Sequence, residues 1–213
     1  MTIENTATID HLIVTAPNLK AGVQWVRDAL GATPELGGKH LNIGTHNCLL
    51  SLGESTYLEV ISPDPNAADP GRPRLFDLDN SSQPRLANWV VRTSDIHGAV
   101  SGSTETLGAI EPMSRGELNW LITFTSDGSL PLGGVAPTLI EWQGTSHPTQ
   151  RMRDEGCKLL AVELHHPEPE RVERLLKSIN LDTCCIAVIE SEPQTSPRIV
   201  ATIETRQGVK NLP

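Results

Sequence analysis

Aromatic side chains are scarce in this 213-residue chain, which has four tryptophans, two phenylalanines and one tyrosine. Aliphatic residues must therefore carry most of the burial, within a hydrophobic fraction of 38% that is ordinary for a globular protein. An excess of positive charge is missing too. The formal net charge of −9 lacks the basic footprint that nucleic-acid phosphates demand, and it gives no support for binding an anionic membrane surface. No run approaches the roughly 18 apolar residues of a membrane span. Met1 to Thr8 has no basic region followed by a long apolar stretch, so secretion is not expected. The four cysteines, Cys48, Cys157, Cys184 and Cys185, form no C-x-x-C pair, and neighbours on a strand point to opposite faces. That argues against a disulfide framework and for free thiols in a reducing cytoplasm. The expectation is a cytoplasmic protein with a small-molecule partner, either uncharged or anionic and met by a local basic patch. No nucleic acid and no membrane is expected, and a homodimer stays open.

What is present is a repeated order of elements. Thr8 to Thr15 is rich in β-branched residues and stops at Ala16-Pro17, which reads as a strand. Asn18 can cap a helix from about Leu19 to Leu30, where Val23, Val26 and Leu30 recur at helical spacing and Gly31 supplies the stop. After Gly37-Gly38 come three extended runs, roughly Lys39 to Thr45, Cys48 to Leu52 and Thr56 to Ile61. Pro63 to Pro84 then holds five prolines and little periodicity, and reads as a long surface excursion.

The pattern returns beyond it. Leu86 to Thr93 reads as a strand, Asp95 can cap a short helix ending near Leu107-Gly108, and extended runs follow around Ile110 to Met113, Leu118 to Thr125 and Pro137 to Gln143. Laying Ile9–Thr15 over Ala87–Thr93 sets His11 against Trp89, and Glu59 against Glu141. About 48 and about 52 residues separate the two members of each copy, which makes an internal repeat. A partial third unit closes the chain: a strand from Leu159 to Leu164, a helix from about Pro167 to Ile179, and strands at Cys185 to Glu190 and Ile199 to Thr205. The division is a first βαβββ module at 1–65, a linker at 66–85, a second βαβββ module at 86–145, and a β-α-β-β unit at 146–213 packed in the same domain. The fold class is α+β, with curled mixed sheets.

A βαβββ module curls its twisted sheet into a half-open cup with the helix on the convex side. Two such cups leave a concave surface that no helix covers, where inward polar residues converge. His11 interrupts the apolar run Ile9 to Val14, Glu59 interrupts Tyr57 to Ile61, and Glu141 interrupts Thr138 to Trp142. A carboxylate inside a hydrophobic strand is costly unless paired or coordinated. One His with two Glu matches the ligand preferences of Zn²⁺, Ni²⁺, Mn²⁺ or Fe²⁺. Each has a duller reading: a lone strand histidine is more often structural, and a lone strand glutamate often faces solvent. Asp10 is assigned no role.

The segments Ile9-Asp10-His11-Leu12-Ile13-Val14, His40-Leu41-Asn42-Ile43-Gly44-Thr45-His46-Asn47, Tyr57-Leu58-Glu59-Val60-Ile61 and Pro137–Trp142 with His147-Pro148 resemble the vicinal-oxygen-chelate superfamily, in its glyoxalase-like-domain branch. The resemblance spans roughly Thr8 to Gly208. It implies a paired-module glyoxalase/dioxygenase-like fold and a divalent metal on the first and last strands of each module. His11, Glu59 and Glu141 match ligand positions, while the fourth falls at Trp89 (or Asn88 with a one-residue slip), which cannot ligate as histidine would. It also implies a metal-dependent lyase or isomerase acting on a small oxygenated molecule, with Glu59 or Glu141 as base at the carbon next to a metal-polarised carbonyl. His40, Asn47 and His147 are candidate substrate contacts. A ring-cleaving dioxygenase is a variant, though its usual triad wants two histidines. The rival of another class is a binding protein with no metal, in which Trp120, Trp142 and Trp89 wall the cup.

Overall fold

The computed structural model describes residues 6–213. In the first module, strand β1 (Thr8–Thr15) leads to helix α1 (Leu19–Leu30). The Asn18 side chain accepts the Ala21 N–H at 2.9 Å, and Gly31, at φ 71°, returns its own N–H to Arg27. Both ends of the helix are thus closed by the residues that the sequence offers for it. The helix lies directly on the sheet at Gly22, where a Cβ would collide with Val60. Strands β2 (Glu35–His40), β3 (Thr45–Ser51) and β4 (Tyr57–Pro63) complete the module. The strand expected from Lys39 to Thr45 is displaced. Gly37 and Gly38 lie within β2 at a register shift against β3, and the chain then turns through a short 3-10 helix at Leu41–Ile43. Glycines that read as a boundary instead form an irregularity inside the strand.

The second module repeats this order: β5 (Arg85–Arg92), α2 (Ile96–Gly102), β6 (Ala109–Arg115), β7 (Leu118–Phe124) and β8 (Thr138–Trp142). Helix α2 is shorter than expected, capped by Asp95, which accepts the Gly98 N–H at 2.8 Å. All eight strands form one sheet in the order β2-β3-β4-β1-β5-β8-β7-β6. β1 and β5 pair antiparallel at the centre, and each pairs in parallel with the last strand of its own module. The result is the expected α+β architecture of two βαβββ modules in one curled sheet.

The rest of the chain builds a second sheet. Strand β9 (Lys158–His166), helix α3 (Pro169–Ser178), β10 (Ile186–Glu190), β11 (Arg198–Thr205) and β12 (Gly208–Leu212) give the strand order β10-β9-β11-β12. Strand β12 is an addition to the sequence reading. Val162, Leu164, Ile199, Ala201 and Ile203 of this sheet share a core with Leu12, Val14, Trp89 and Val91 of the large one. The convex face is thereby covered. All four cysteines are free thiols. Among the described residues no helix is long and apolar enough to cross a membrane.

The proline-rich linker departs from expectation. It does not stay on the surface: Leu75, Phe76 and Leu78 are buried on the concave face with Ile13, Ile61, Val90 and Ile140. Arg72 ties the segment down, its guanidinium meeting both Glu111 carboxylate oxygens at 2.8 Å and lying 4.0 Å over the Phe124 ring. Phe76 and Asp77 both adopt positive φ, at 64° and 54°. Non-glycine residues rarely take that conformation, and it costs on the order of 1 kcal/mol or more per residue. Burial of Leu75, Phe76 and Leu78 holds the segment there. Prolines dominated its composition, and three apolar residues out of period did not reveal that it plugs the cup.

Candidate active site

Alternation along the strands decides what the cup displays. In β1, Leu12 and Val14 enter the convex core while His11 and Ile13 face the cup, and in β4 Leu58 and Val60 enter that core while Glu59 and Ile61 face the cup. The parallel pairing sets His11 beside Tyr57 and Ile13 beside Glu59. His11 Nε2 therefore comes within 3.4 Å of Glu59 Oε2. Tyr57 stacks flat on the His11 ring, with centroids 4.4 Å apart and planes 14° from parallel.

Asp10 completes the arrangement from an irregular position. The register of β1 against β5 slips between Ile9 and His11, so the bulged Asp10 escapes strict alternation and turns its carboxylate to its own neighbour. Its Oδ1 lies 2.6 Å from His11 Nδ1, and its Oδ2 accepts from Trp142 Nε1 at 3.0 Å and meets His147 Nε2 at 3.1 Å. On the other flank Asn47 donates from Nδ2 to Glu59 Oε1 at 2.5 Å, and its own Oδ1 accepts the Gly38 N–H at 2.7 Å. Glu59 is thus held by one oxygen and leaves Oε2 to His11.

The electrostatics follow from burial opposed by pairing. Burial would raise the Glu59 pKa, but hydrogen bonds from His11 and Asn47 and the nearby positive charge outweigh it and bring it down to about 2. Burial likewise disfavours the Asp10 carboxylate, yet His11 and His147 hold it well below the ordinary carboxylate range. Burial would discharge His11, and the two carboxylates instead raise its pKa. The two carboxylates on either side thus favour the protonated form of His11. His40 behaves oppositely: burial pushes it down to about 4, so it is neutral at pH 7, with Nδ1 3.0 Å from Thr45 Oγ1 and Nε2 3.4 Å from an Arg115 nitrogen.

These groups line a narrow cavity with a free volume of about 40 Å³, roofed by Leu75 and Phe76. Of the residues singled out in the sequence, His11, Glu59, His40, Asn47, Trp120 and Trp142 all line it. His147 stands just behind, packed edge-on against Tyr57 and Trp142 and bonded to Asp10. Asp10 and Arg115 are the additions. The bulge that brings Asp10 in has no local signal in Ile9-Asp10-His11, and Arg115 lies at a strand end far along the chain.

Glu141 is not brought to this cluster. Its carboxylate accepts the Ile96 N–H at 2.8 Å, at the start of α2, and the Gln143 side chain at 2.9 Å. Strand pairing explains the difference. Tyr57 pairs with His11, and the matching parallel pair in the second module is Thr138 with Val90. Two residues on, Glu59 corresponds to Ile140 rather than Glu141, and His11 corresponds to Val90 rather than Trp89. The sequence superposition was off by one residue, and a one-residue slip exchanges the two faces of a strand. Trp89 accordingly lies in the convex core, its Nε1 donating to Val135 O at 2.8 Å, and is no wall of the cup.

The donor set for a metal is correspondingly short. Beside His11 and Glu59, His40 is engaged with Thr45 and Arg115 and the Asp10 carboxylate with His11, His147 and Trp142, against the three free protein ligands usual in a catalytic zinc site. The related positions in the second module, Val90 and Ile140, are aliphatic and buried. Among the described residues no group of three or more His, Cys, Asp or Glu side chains is placed to hold a metal ion. These residues do not fit a resident divalent ion.

A family model described as a glyoxalase-like domain matches residues 9–179. A crystal structure of a hypothetical protein from Staphylococcus aureus is similar with a TM-score of 0.56 at 14% identity, over 96% of this chain and 84% of that one. A mutant of 4-hydroxymandelate synthase from Streptomyces coelicolor is similar with a TM-score of 0.53 at 12% identity, over 98% of this chain and 62% of that one. Methylmalonyl-CoA epimerase from Mycobacterium tuberculosis matches at 15% identity and a TM-score of 0.43, over 68% of this chain and 94% of that one. At such identities the likeness is one of fold, on which unrelated chemistries are built. No curated protein matches the chain. Since the family match runs through both modules and into the third unit, the chain belongs to the glyoxalase-like domain family of the vicinal-oxygen-chelate superfamily.

Proposed function

We propose that the protein is an enzyme that moves a proton at a carbon next to a carbonyl, with Glu59 as base and His11 as hydrogen-bond donor to the carbonyl oxygen. The observation that supports this reading is the buried His11–Glu59 contact of 3.4 Å on the wall of a small cavity. Catalytic acids and bases are tuned by such burial and pairing inside a pocket, which makes this pair the candidate for the chemistry.

The pair supplies its own activation. While His11 Nε2–H faces Glu59, the carboxylate is a weak base. A substrate carbonyl that takes this hydrogen bond removes the main group holding the Glu59 pKa down, and burial then raises its proton affinity. Glu59 Oε2 accepts the carbon-bound proton, the C–H electron pair moves into the carbonyl, and the enolate oxygen stays hydrogen-bonded to His11. Return of the proton from Glu59 to the same carbon regenerates the substrate with solvent exchange, and its delivery to the neighbouring carbon of an enediol completes an isomerisation. Asn47 fixes Oε1, so that Oε2 is the reacting atom. Each step uses His11, Glu59 and Asn47.

Solvent deuterium incorporation at C3 of 2-oxobutanoate, followed by proton NMR on EDTA-treated protein, tests this. The wild type is expected to exchange above the buffer rate, and Glu59→Gln to lose about 100-fold or more. Exchange that requires an added divalent ion, or that persists in Glu59→Gln, sinks the reading. A ligand-binding role without chemistry has one observation in its favour, the Trp120–Trp142 pair at 5.5 Å beside the cavity. It would show as tryptophan fluorescence change without exchange.

A further inference from the structure

Arg115 differs from the other arginines around the cup. Arg72, Arg74 and Arg92 each reach a carboxylate, on Glu111, Asp79 and Asp10. Among the described residues no carboxylate lies within ion-pair reach of Arg115, whose polar neighbour is His40 Nε2 at 3.4 Å. His40 is neutral, so it accepts a hydrogen bond from the guanidinium without compensating its charge. Space for the side chain is built into the facing strand: a Cβ at Gly38 would stand 2.7 Å from Arg115 Cδ. The irregular double glycine of β2 lets Arg115 lie across it.

The position of this cation is selective. Arg115 forms part of the wall of the cavity and of a neighbouring groove, with a free volume of about 230 Å³, where the carboxylates of Glu35 and Glu117 are already paired with Arg153 and Arg151. On the cavity's other side, Asp10 and Glu59 place two carboxylates around the single His11 ring. That side repels an anion, while a guanidinium at the junction attracts one and can bind it through two parallel hydrogen bonds.

We propose that Arg115 anchors the carboxylate of the substrate, and that the substrate class is a small oxo acid whose carbonyl end points inward to His11 and Glu59. This deepens the proton-transfer reading of the same site and rests on it for the reacting end of the ligand. The free volume of about 40 Å³ inside suits a short chain, and the charge stays at the junction, where the guanidinium is only part-buried. Arg115 thereby sets both the identity of the substrate and the end that enters first.

Binding is measured by tryptophan fluorescence with three probes, 2-oxobutanoate, its methyl ester and inorganic phosphate, on the wild type, Arg115→Gln, Arg115→Lys and Glu59→Gln. The acid is expected to bind about tenfold or more tighter than the ester. Arg115→Gln should erase that preference and Arg115→Lys should keep part of it. Equal binding of acid and ester, or a preference that survives Arg115→Gln, overturns the proposal. Arg115-dependent binding of phosphate in place of the acid overturns the carboxylate assignment. Arg115-dependent acid binding in Glu59→Gln, with no deuterium exchange in the wild type, supports the anchor and defeats the proton-transfer reading. Exchange on the acid that runs as fast in Arg115→Gln as in the wild type defeats the anchor alone.

Discussion

Val90 pairs directly with His11 across the central strands β1 and β5, so the second module sets an aliphatic residue opposite the first module's histidine. The same holds for the carboxylate, since Ile140 occupies the place corresponding to Glu59 and lines the same cavity. The first module carries the acid–base pair, and the corresponding positions of its copy are aliphatic. That asymmetry gives a bound molecule one polar end and one greasy side.

Restoring the symmetry tests the register. The double variant Val90→His with Ile140→Glu would point four ligating side chains into one cup, and is expected to gain divalent-ion binding by calorimetry. Burying the new groups should lower stability without metal, and Zn²⁺ should raise the melting temperature again. Trp89→His is expected to gain no metal binding, because that position lies in the convex core. Metal binding by Trp89→His and none by the double variant would reverse the assignment of faces.

Asp10 governs the charge of His11. The carboxylates outweigh burial and raise the His11 pKa above its ordinary 6.5, so the stability linked to it is complete below about 6.5 and fades as pH rises through the raised value. Glu59 is held to about 2 against an ordinary 4.5, so its contribution is present above about 4.5 and is lost as pH falls toward 2. Stability linked to the cluster is therefore greatest between about 4.5 and 6.5. Asp10→Asn is expected to cost about 3 kcal/mol, as removal of one partner from a buried ion pair does. It should also move the alkaline loss of stability to lower pH. Urea unfolding across the pH range reads both effects, and an alkaline limb unchanged in Asp10→Asn would contradict this pairing.

Phe76 roofs the cavity in a left-handed backbone conformation. Phe76→Ala keeps the backbone strain and removes the buried ring, so a loss of about 3 kcal/mol is expected. The enlarged cavity should make Trp120 more accessible to acrylamide quenching. If stability and quenching both stay at wild-type values, the linker is not the roof described here.

Much of the architecture was legible in the residues. Asn18 and Gly31 closed α1 as expected, the β-branched run of β1 formed its strand, and the repeat of order placed both modules in one α+β fold. His11 and Glu59 emerged as inward residues because a polar group within an apolar strand has few inexpensive places to go. Gly37-Gly38 misplaced β2, since glycine signals a turn and a strand irregularity equally well. Asp10 went unremarked, because a bulge depends on how the partner strand pairs.

The sequence by itself determined most of the strands and helices, with β2 and β12 the exceptions, that their order occurs twice, and that His11 and Glu59 interrupt buried strands. Alternation at period two and the chemistry of helix ends are local, so they are readable from neighbours alone. Tertiary structure decided the register between strands and, through it, that Val90 and Ile140 rather than Trp89 and Glu141 complete the cup. It also decided that Asp10 bonds His11, that the linker folds in as a roof, and that Arg115 has no carboxylate within ion-pair reach among the described residues. Each depends on contacts between residues far apart in the chain, and a single-residue shift in pairing is enough to exchange a buried wall for a solvent face.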